Sequence, residues 1–361
     1  MSQPSRTRPS GSGAALSAVY DTALLDLDGV VYTGGEAVEH AVEALAAARE
    51  AGMGLAYVTN NALRPPRDVA EHLTELGVPA SAEDVITSAQ AVARLIADEV
   101  PEGSRVLVVG GEGLRLALRE RGLVPVDSAD DGPAAVAQGY GGPDMAWRRF
   151  WEACAAVNAG VPWFASNTDL TIPSPRGIVP GNGAAVEVVR IATGAEPRVA
   201  GKPLPPMHRE TILRTGARRP LVVGDRLDTD IEGAFNGGVD SLLVLTGVTR
   251  ARQLLAAGPR HRPTYVDADL RGLLTGQPEV ADAGGGAFCC GRWTASADGG
   301  ALRLDAAGER GEDGARAPGG PDGADRDRMD ALRALCAAAW TRAGDGRCDL
   351  DADKALARLA E

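Results

Sequence analysis

Between residues 23 and 245, short apolar runs alternate with helical stretches, and three of the runs stop on a polar group. The runs lie at 23–32, 54–58, 85–87, 106–109, 161–165, 221–223 and 242–245. Apolar runs separated by helices specify a parallel sheet with crossover connections, hence an α/β, Rossmann-like, doubly wound core. Ligands of such sheets bind beyond the carboxyl ends of the strands. Aspartate is depleted inside strands, yet Asp26 and Asp28 both fall in the first apolar run. A polar turn accounts for one of them, but two at i and i+2 call for a chemical reason.

The chain has 361 residues, 44% of them hydrophobic, enough for two modest cores and a tail. Its net charge of -12 supplies no basic field for nucleic acid. No run of 18 apolar residues exists, so no membrane span is expected. Arg6 and Arg8 precede an apolar stretch that Asp21 and Asp26 interrupt, which does not suit a signal peptide. Five cysteines without a CxxC pair fit a reducing cytoplasm, and the adjacent Cys289 and Cys290 read as small buried hydrophobes. Four dispersed histidines give no zinc site, and no Gly-x-Ser-x-Gly elbow occurs. The glycines at 111 and 113 lack the third member of a dinucleotide loop, because position 116 is Leu116.

Four motifs stand in order along the chain. Asp26-Leu27-Asp28-Gly29 ends the first run, Thr59-Asn60-Asn61 follows the second, Gly201-Lys202-Pro203 comes much later, and Gly224-Asp225 precedes Asp228 and Asp230. This order resembles the haloacid dehalogenase (HAD) superfamily, and the paired asparagines with the Gly-Lys-Pro surround resemble its NagD-type phosphatase branch. The resemblance covers about 23–247. It implies Asp26 as the nucleophile of an aspartyl-phosphate mechanism and Asp28 as general acid and then base. It implies Mg²⁺ held by Asp26, Asp225 and the backbone carbonyl of Asp28. Gly29, Thr59, Asn60, Asn61 and Lys202 are the implied phosphate contacts. Asp230, and less directly Asp228, would stand behind the ligands, orienting Lys202 or the metal's water. A dehalogenase needs no acid two residues after its nucleophile, so Asp28 favours phosphoester hydrolysis.

Spacing locates an insertion. Only 30 residues separate Asp28 from Thr59, room for one helix and one strand, whereas 142 separate Thr59 from Lys202. An inserted α/β cap of the C2 type is therefore expected at 87–200, with the core at 18–86 and 201–275. Within the cap, Asn167-Thr168-Asp169 and Pro180-Gly181-Asn182-Gly183 resemble a cap segment of the same branch. The substrate-selecting loop is placed at 170–177, with Arg176 as a contact for the leaving group.

Residues 1–17 are expected to be a disordered leader and 276–361 a C-terminal extension. Positions 305–325 contain six Gly, two Pro and no Val, Ile, Leu or Met, the composition of a flexible linker. Around it a hairpin is expected at 293–297 and 301–304, with helices at 328–341 and 349–359. The sequence from Arg316 to Pro321 nearly matches an acyl-CoA-binding loop of N-acyltransferases but lacks Gly or Ala at its last position. A Leu/Ala stripe on the first helix reads as packing on its own domain, with contacts in a homo-oligomer as the alternative.

The expected function is hydrolysis of a small-molecule phosphate ester in the cytoplasm. The composition and the added tail are most similar to actinobacterial glycerol-3-phosphate phosphatases, and 170–177 holds no His or aromatic ring to stack on a base. The alternatives are a broader 4-nitrophenyl, sugar or nucleotide phosphatase and a non-catalytic protein of the HAD fold. The last predicts loss of a charged motif residue, and none is lost. Only two lysines occur, Lys202 and Lys354. A codon bias that replaces lysine with arginine has left Lys202 in the position where a compact ammonium suits a crowded phosphoryl site.

Overall fold

Each apolar run other than the first forms one strand. A computed structural model of the chain describes residues 6–174, 176–307 and 321–359. The chain divides into two compact units: Met1–Thr33, Ala37–Leu55 and Arg218–Glu361 form one, Gly34–Glu36 with Ala56–Ala217 the other.

In the first unit, Thr22–Leu25 is buried throughout and pairs in parallel with Pro220–Gly224. That strand pairs with Asp240–Val244, which pairs with Tyr265–Asp267. Strands covered on both faces must be apolar at every position, which explains runs without alternation. The Gly54 N–H, at the start of the strand Gly54–Thr59, donates to the Asp21 carbonyl at 2.8 Å.

The leader departs from expectation. Over its described residues it is docked, not free. Arg6 pairs with Asp240 at 2.7 Å, the Ser10 N–H donates to the Thr264 carbonyl, and Leu16 is fully buried. Thr264 and Tyr265 lie at the sheet's edge, where unpaired backbone groups would otherwise stand open. Tyr20 donates to Asp240 at 2.7 Å and lies 3.0 Å from the Tyr265 hydroxyl. Burial, those hydrogen bonds and the Asp240 charge keep the Tyr20 phenol protonated far above the usual range.

The extension is a four-stranded antiparallel sheet, Ala281–Gly284, Ala287–Cys290, Trp293–Asp298 and Ala301–Ala306. The expected hairpin is its second half, turning at Gly299 and Gly300. The first two strands escape sequence reading because Gly284, Gly285 and Gly286 interrupt them. Helices Pro321–Ala343 and Asp353–Arg358 follow, where two helices were expected. The middle of the expected linker, with Arg316, lies outside the described residues.

This extension shares one core with the parallel sheet. Phe288, Trp293, Leu332 and Trp340 cluster with Ile231, Leu243, Leu254 and Val266. The Trp340 indole N–H donates to the Leu254 carbonyl at 3.0 Å. Arg333, 4% exposed, donates to the Val266 carbonyl at 2.7 Å and to Gln277 at 2.9 Å. Cys290 is buried, and burial beside Asp330 pushes its thiol up to about 12; Cys289 is only half-buried.

The second unit holds a five-stranded parallel sheet in the order Arg198–Val199, Trp163–Ala165, Ala135–Gln138, Arg105–Val109, Val124–Val126. These five strands lie between residues 105 and 199. Leu107, Val136, Phe150, Trp163 and Val186 form its core. The unit extends further, to residues 56–217, because helix Ser88–Ala97 packs on both Glu112–Glu120 and Pro205–Thr215. A capping box starts that helix: Thr87 Oγ1 accepts from the Gln90 N–H and the Gln90 side chain accepts from the Thr87 N–H.

Glu210, on Pro205–Thr215, has no exposure and faces three arginines. It accepts from Arg94, from Arg121 at 2.9 Å and from Arg214 at 2.5 Å. Burial opposes its charge, but the Arg94 and Arg214 guanidiniums hold its carboxyl below the usual range. Its stabilisation is therefore complete above about pH 4.3, the unfolded value, and disappears as pH falls through the lowered folded value. Glu210→Gln is expected to destabilise the protein by roughly 2–3 kcal/mol at neutral pH, discounted because the arginines keep some solvent contact. Urea unfolding at neutral and acid pH checks this: the difference between variant and parent narrows in acid.

Candidate active site

The first unit carries the carboxylates. Asp26 follows directly on Thr22–Leu25, where its N–H continues the sheet by donating to the Val223 carbonyl at 2.8 Å. Asp225 follows directly on the neighbouring strand Pro220–Gly224 and is fully buried. Its Oδ2 accepts the Val248 N–H at 2.5 Å. Asp230 lies in a single π turn, Leu227–Ile231, and its Oδ2 accepts the Arg226 N–H at 3.2 Å. One oxygen from each of Asp26, Asp225 and Asp230 lies within 4.8 Å of the other two.

Close packing explains the glycines around this group. Gly29 has φ +83°, and a side chain there would meet Asp225 Oδ2 at 2.8 Å. At Gly247 a Cβ would collide with the same carboxylate. Three hard oxygen donors, two on buried residues, suit a small divalent cation, and the donor set contains no sulfur or imidazole. Asp28 is exposed, and its backbone pairs with that of Tyr32 in an isolated β-bridge. Asp230, expected behind the ligands, contributes an oxygen to the cluster itself. Asp228 is gripped instead by Arg226, at 3.1 Å and 2.8 Å. Burial opposes its charge, but that bidentate pairing holds its carboxyl below the usual range.

The second unit brings together Thr59, Asn60, Asn61 and Lys202. Thr59 is buried at the end of Gly54–Thr59, and its Oγ1 accepts the Asn61 N–H at 3.1 Å. Lys202 Nζ donates to the Val58 carbonyl at 3.1 Å, so the ammonium lies beside the strand's last turn. The N–H groups of Gly29 and Asn61, two expected phosphate contacts, are both engaged inside their turns; Gly29 donates to Tyr32 at 2.8 Å. These residues shape the turns. Arg176 is exposed at the tip of the hairpin Thr171–Ser174 and Gly177–Pro180, with its N–H on Ser174 Oγ.

Over residues 23–124 the sequence matches the haloacid dehalogenase-like hydrolases, and over 199–273 a second HAD-hydrolase-like family. A D-glycerol 3-phosphate phosphatase of Mycobacterium tuberculosis is 46% identical over 277 residues, 74% of this chain and 77% of that protein. The chain belongs to the haloacid dehalogenase-like hydrolases. This hydrolase is also 35% identical to the 5'-nucleotidase YutF of Bacillus subtilis over 249 residues, 68% of this chain and 94% of that one. Its fold is similar to the crystal structure of glycerol phosphate phosphatase from M. tuberculosis in complex with magnesium. The TM-score is 0.81 at 39% identity, covering 96% of this chain and 99% of that chain. Residues 290–360 match a GCN5-related N-acetyltransferase like domain.

Sequence reading of this hydrolase did not find the residues that brace the second cluster. Asn167 donates to the Asn60 carbonyl at 2.7 Å, Asn182 to the Asn167 carbonyl at 2.7 Å, and Ser88 to the Asn60 carbonyl at 2.6 Å. Asn167 and Asn182 stood in the segment that resembles the family's cap, which was the available signal. Nothing local marked Ser88.

Proposed function

We propose that this hydrolase cleaves a small phosphoric monoester, D-glycerol 3-phosphate, with Asp26 as nucleophile. The carboxylate cluster of Asp26, Asp225 and Asp230 carries the reading. Such a cluster repels phosphate by itself and becomes useful only around a cation. Asp26, Asp225, Asp230 and the Asp28 carbonyl would hold Mg²⁺, which when bound neutralises charge on the transferring phosphoryl group.

Asp26 attacks phosphorus and the bond to the ester oxygen breaks, while Asp28 gives its proton to the leaving alkoxide. Asp28 then takes a proton from water, whose oxygen attacks the aspartyl phosphate. Phosphate leaves and the Asp26 carboxylate is restored. Following the motif order, the Thr59 hydroxyl, the Asn60 N–H and the Lys202 ammonium compensate the phosphoryl oxygens. Arg176 on the hairpin is assigned to the leaving group. Leu170 and Ile178 are exposed on or beside that hairpin, which offers no aromatic or imidazole ring for a nucleobase and so favours an aliphatic ester. No described helix is long and apolar enough to cross a membrane, and the five free cysteines suit the reducing cytoplasm we assign to it.

The purified protein is expected to release phosphate from 4-nitrophenyl phosphate with Mg²⁺, to lose that activity in EDTA and to regain it when Mg²⁺ is restored. Across glycerol 3-phosphate, sugar phosphates, nucleotides and pyridoxal phosphate, kcat/KM is expected to be highest for the first. Equal values would remove the substrate preference and leave the phosphatase reading intact.

A further inference from the structure

We infer that the side chain of Asn60 is a positioning group that fixes Lys202, acting through the lysine's backbone and not on the substrate, which the Asn60 backbone N–H meets; this rests on the role given to Lys202 above. The Asn60 carboxamide reaches both backbone groups of that one residue. Its Oδ1 accepts the Lys202 N–H at 2.8 Å, and its Nδ2 donates to the Lys202 carbonyl at 3.2 Å. A carboxamide presents an acceptor and a donor side by side, which matches a residue's own N–H and C=O. The same Nδ2 donates to Asp169 at 3.1 Å. The side chain is thus directed at protein groups on each of its polar atoms.

A second observation comes from residue 201. A Cβ there would stand 2.6 Å from Asn60 Oδ1 and 3.0 Å from Asn167 Cβ, and would collide with the Ser166 carbonyl. Glycine before the lysine is what lets the carboxamide approach. Asn60 is itself held from behind, since its carbonyl accepts from Ser88 and from Asn167, and Asn167 is braced by Asn182. Lysine is a flexible stem with a mobile head. Here its backbone is pinned by Asn60 while its head rests on the Val58 carbonyl, so both ends refer to one strand terminus. Releasing the backbone end would let the ammonium drift, and a displacement of about 1 Å at a phosphoryl site lowers turnover on the order of 100-fold.

The test is a double-mutant cycle on the full chain with Mg²⁺ and 4-nitrophenyl phosphate. Asn60→Ala is expected to lower kcat about 10- to 100-fold with little change in KM. In a Lys202→Ala background the same substitution is expected to change kcat by less than about twofold, because the group it positions is gone. Losses that multiply would overturn the inference, because Asn60 would then act independently of the lysine. Asn60→Asp keeps the shape and the acceptor for the Lys202 N–H but sets an oxygen against the Lys202 carbonyl and Asp169. It is expected to lose kcat as Asn60→Ala does, and urea unfolding of both variants, each folded under the assay conditions, guards against a folding artefact; parental kcat would also overturn the inference. If Lys202→Ala alone kept parental turnover, the role given to Lys202 would fail first and this inference with it, a result distinct from multiplying losses.

Discussion

Asp26→Asn is expected to lower kcat by about 10⁴-fold or more while the protein stays folded. Asparagine has the shape of aspartate but no carboxylate lone pair with which to attack phosphorus. The backbone N–H of residue 26, bonded to the Val223 carbonyl, is untouched by the change. Asp26 also shares a 4.8 Å cluster with Asp225 and Asp230, so removing its charge relieves repulsion when no cation is present. The variant should therefore unfold at an equal or higher denaturant concentration than the parent in EDTA. Phosphate release with Mg²⁺ and urea unfolding in EDTA are the two measurements. Turnover within tenfold of the parent would exclude Asp26 as nucleophile.

Trp340→Ala is expected to destabilise the first unit by about 3–5 kcal/mol, read as a lower urea midpoint. The indole is fully buried in a core that also contains Leu254, Leu255 and Val266. Truncation removes its contacts, leaves a cavity and orphans the Leu254 carbonyl that accepts its N–H. The same core implies that deleting 281–361 uncovers Ile231, Leu243, Leu254 and Val266 together. The truncated chain should aggregate or unfold, not persist as a smaller phosphatase. A soluble deletion with parental kcat and midpoint would show that the extension is separable after all.

How much of this was readable beforehand differs between residues. Asp26 and Asp225 announce themselves because a carboxylate at the end of an apolar run is locally anomalous. Lys202 stands out against a composition almost without lysine. The inserted sheet follows from counting, since 142 residues cannot be one crossover. Asp230 was visible as a residue but not as a member of the carboxylate cluster, because a π turn sets its direction. Asn60 was read as a phosphate contact from its neighbour Thr59, whereas its side chain faces a residue 142 positions away.

The sequence by itself determined the parallel α/β core and the order of the chemical residues, and its spacing gave reason to expect an insertion. Those are properties of local hydrophobic period and of spacing along the chain, and a window of residues contains them. Only the tertiary structure decided that the leader is docked on Asp240 and Thr264, that the extension completes the first unit's core, and that Asn60 clasps Lys202. Each of these depends on hydrogen bonds or apolar contacts between segments remote in sequence. The free energy of such contacts belongs to the pair and leaves no trace in the composition of either partner.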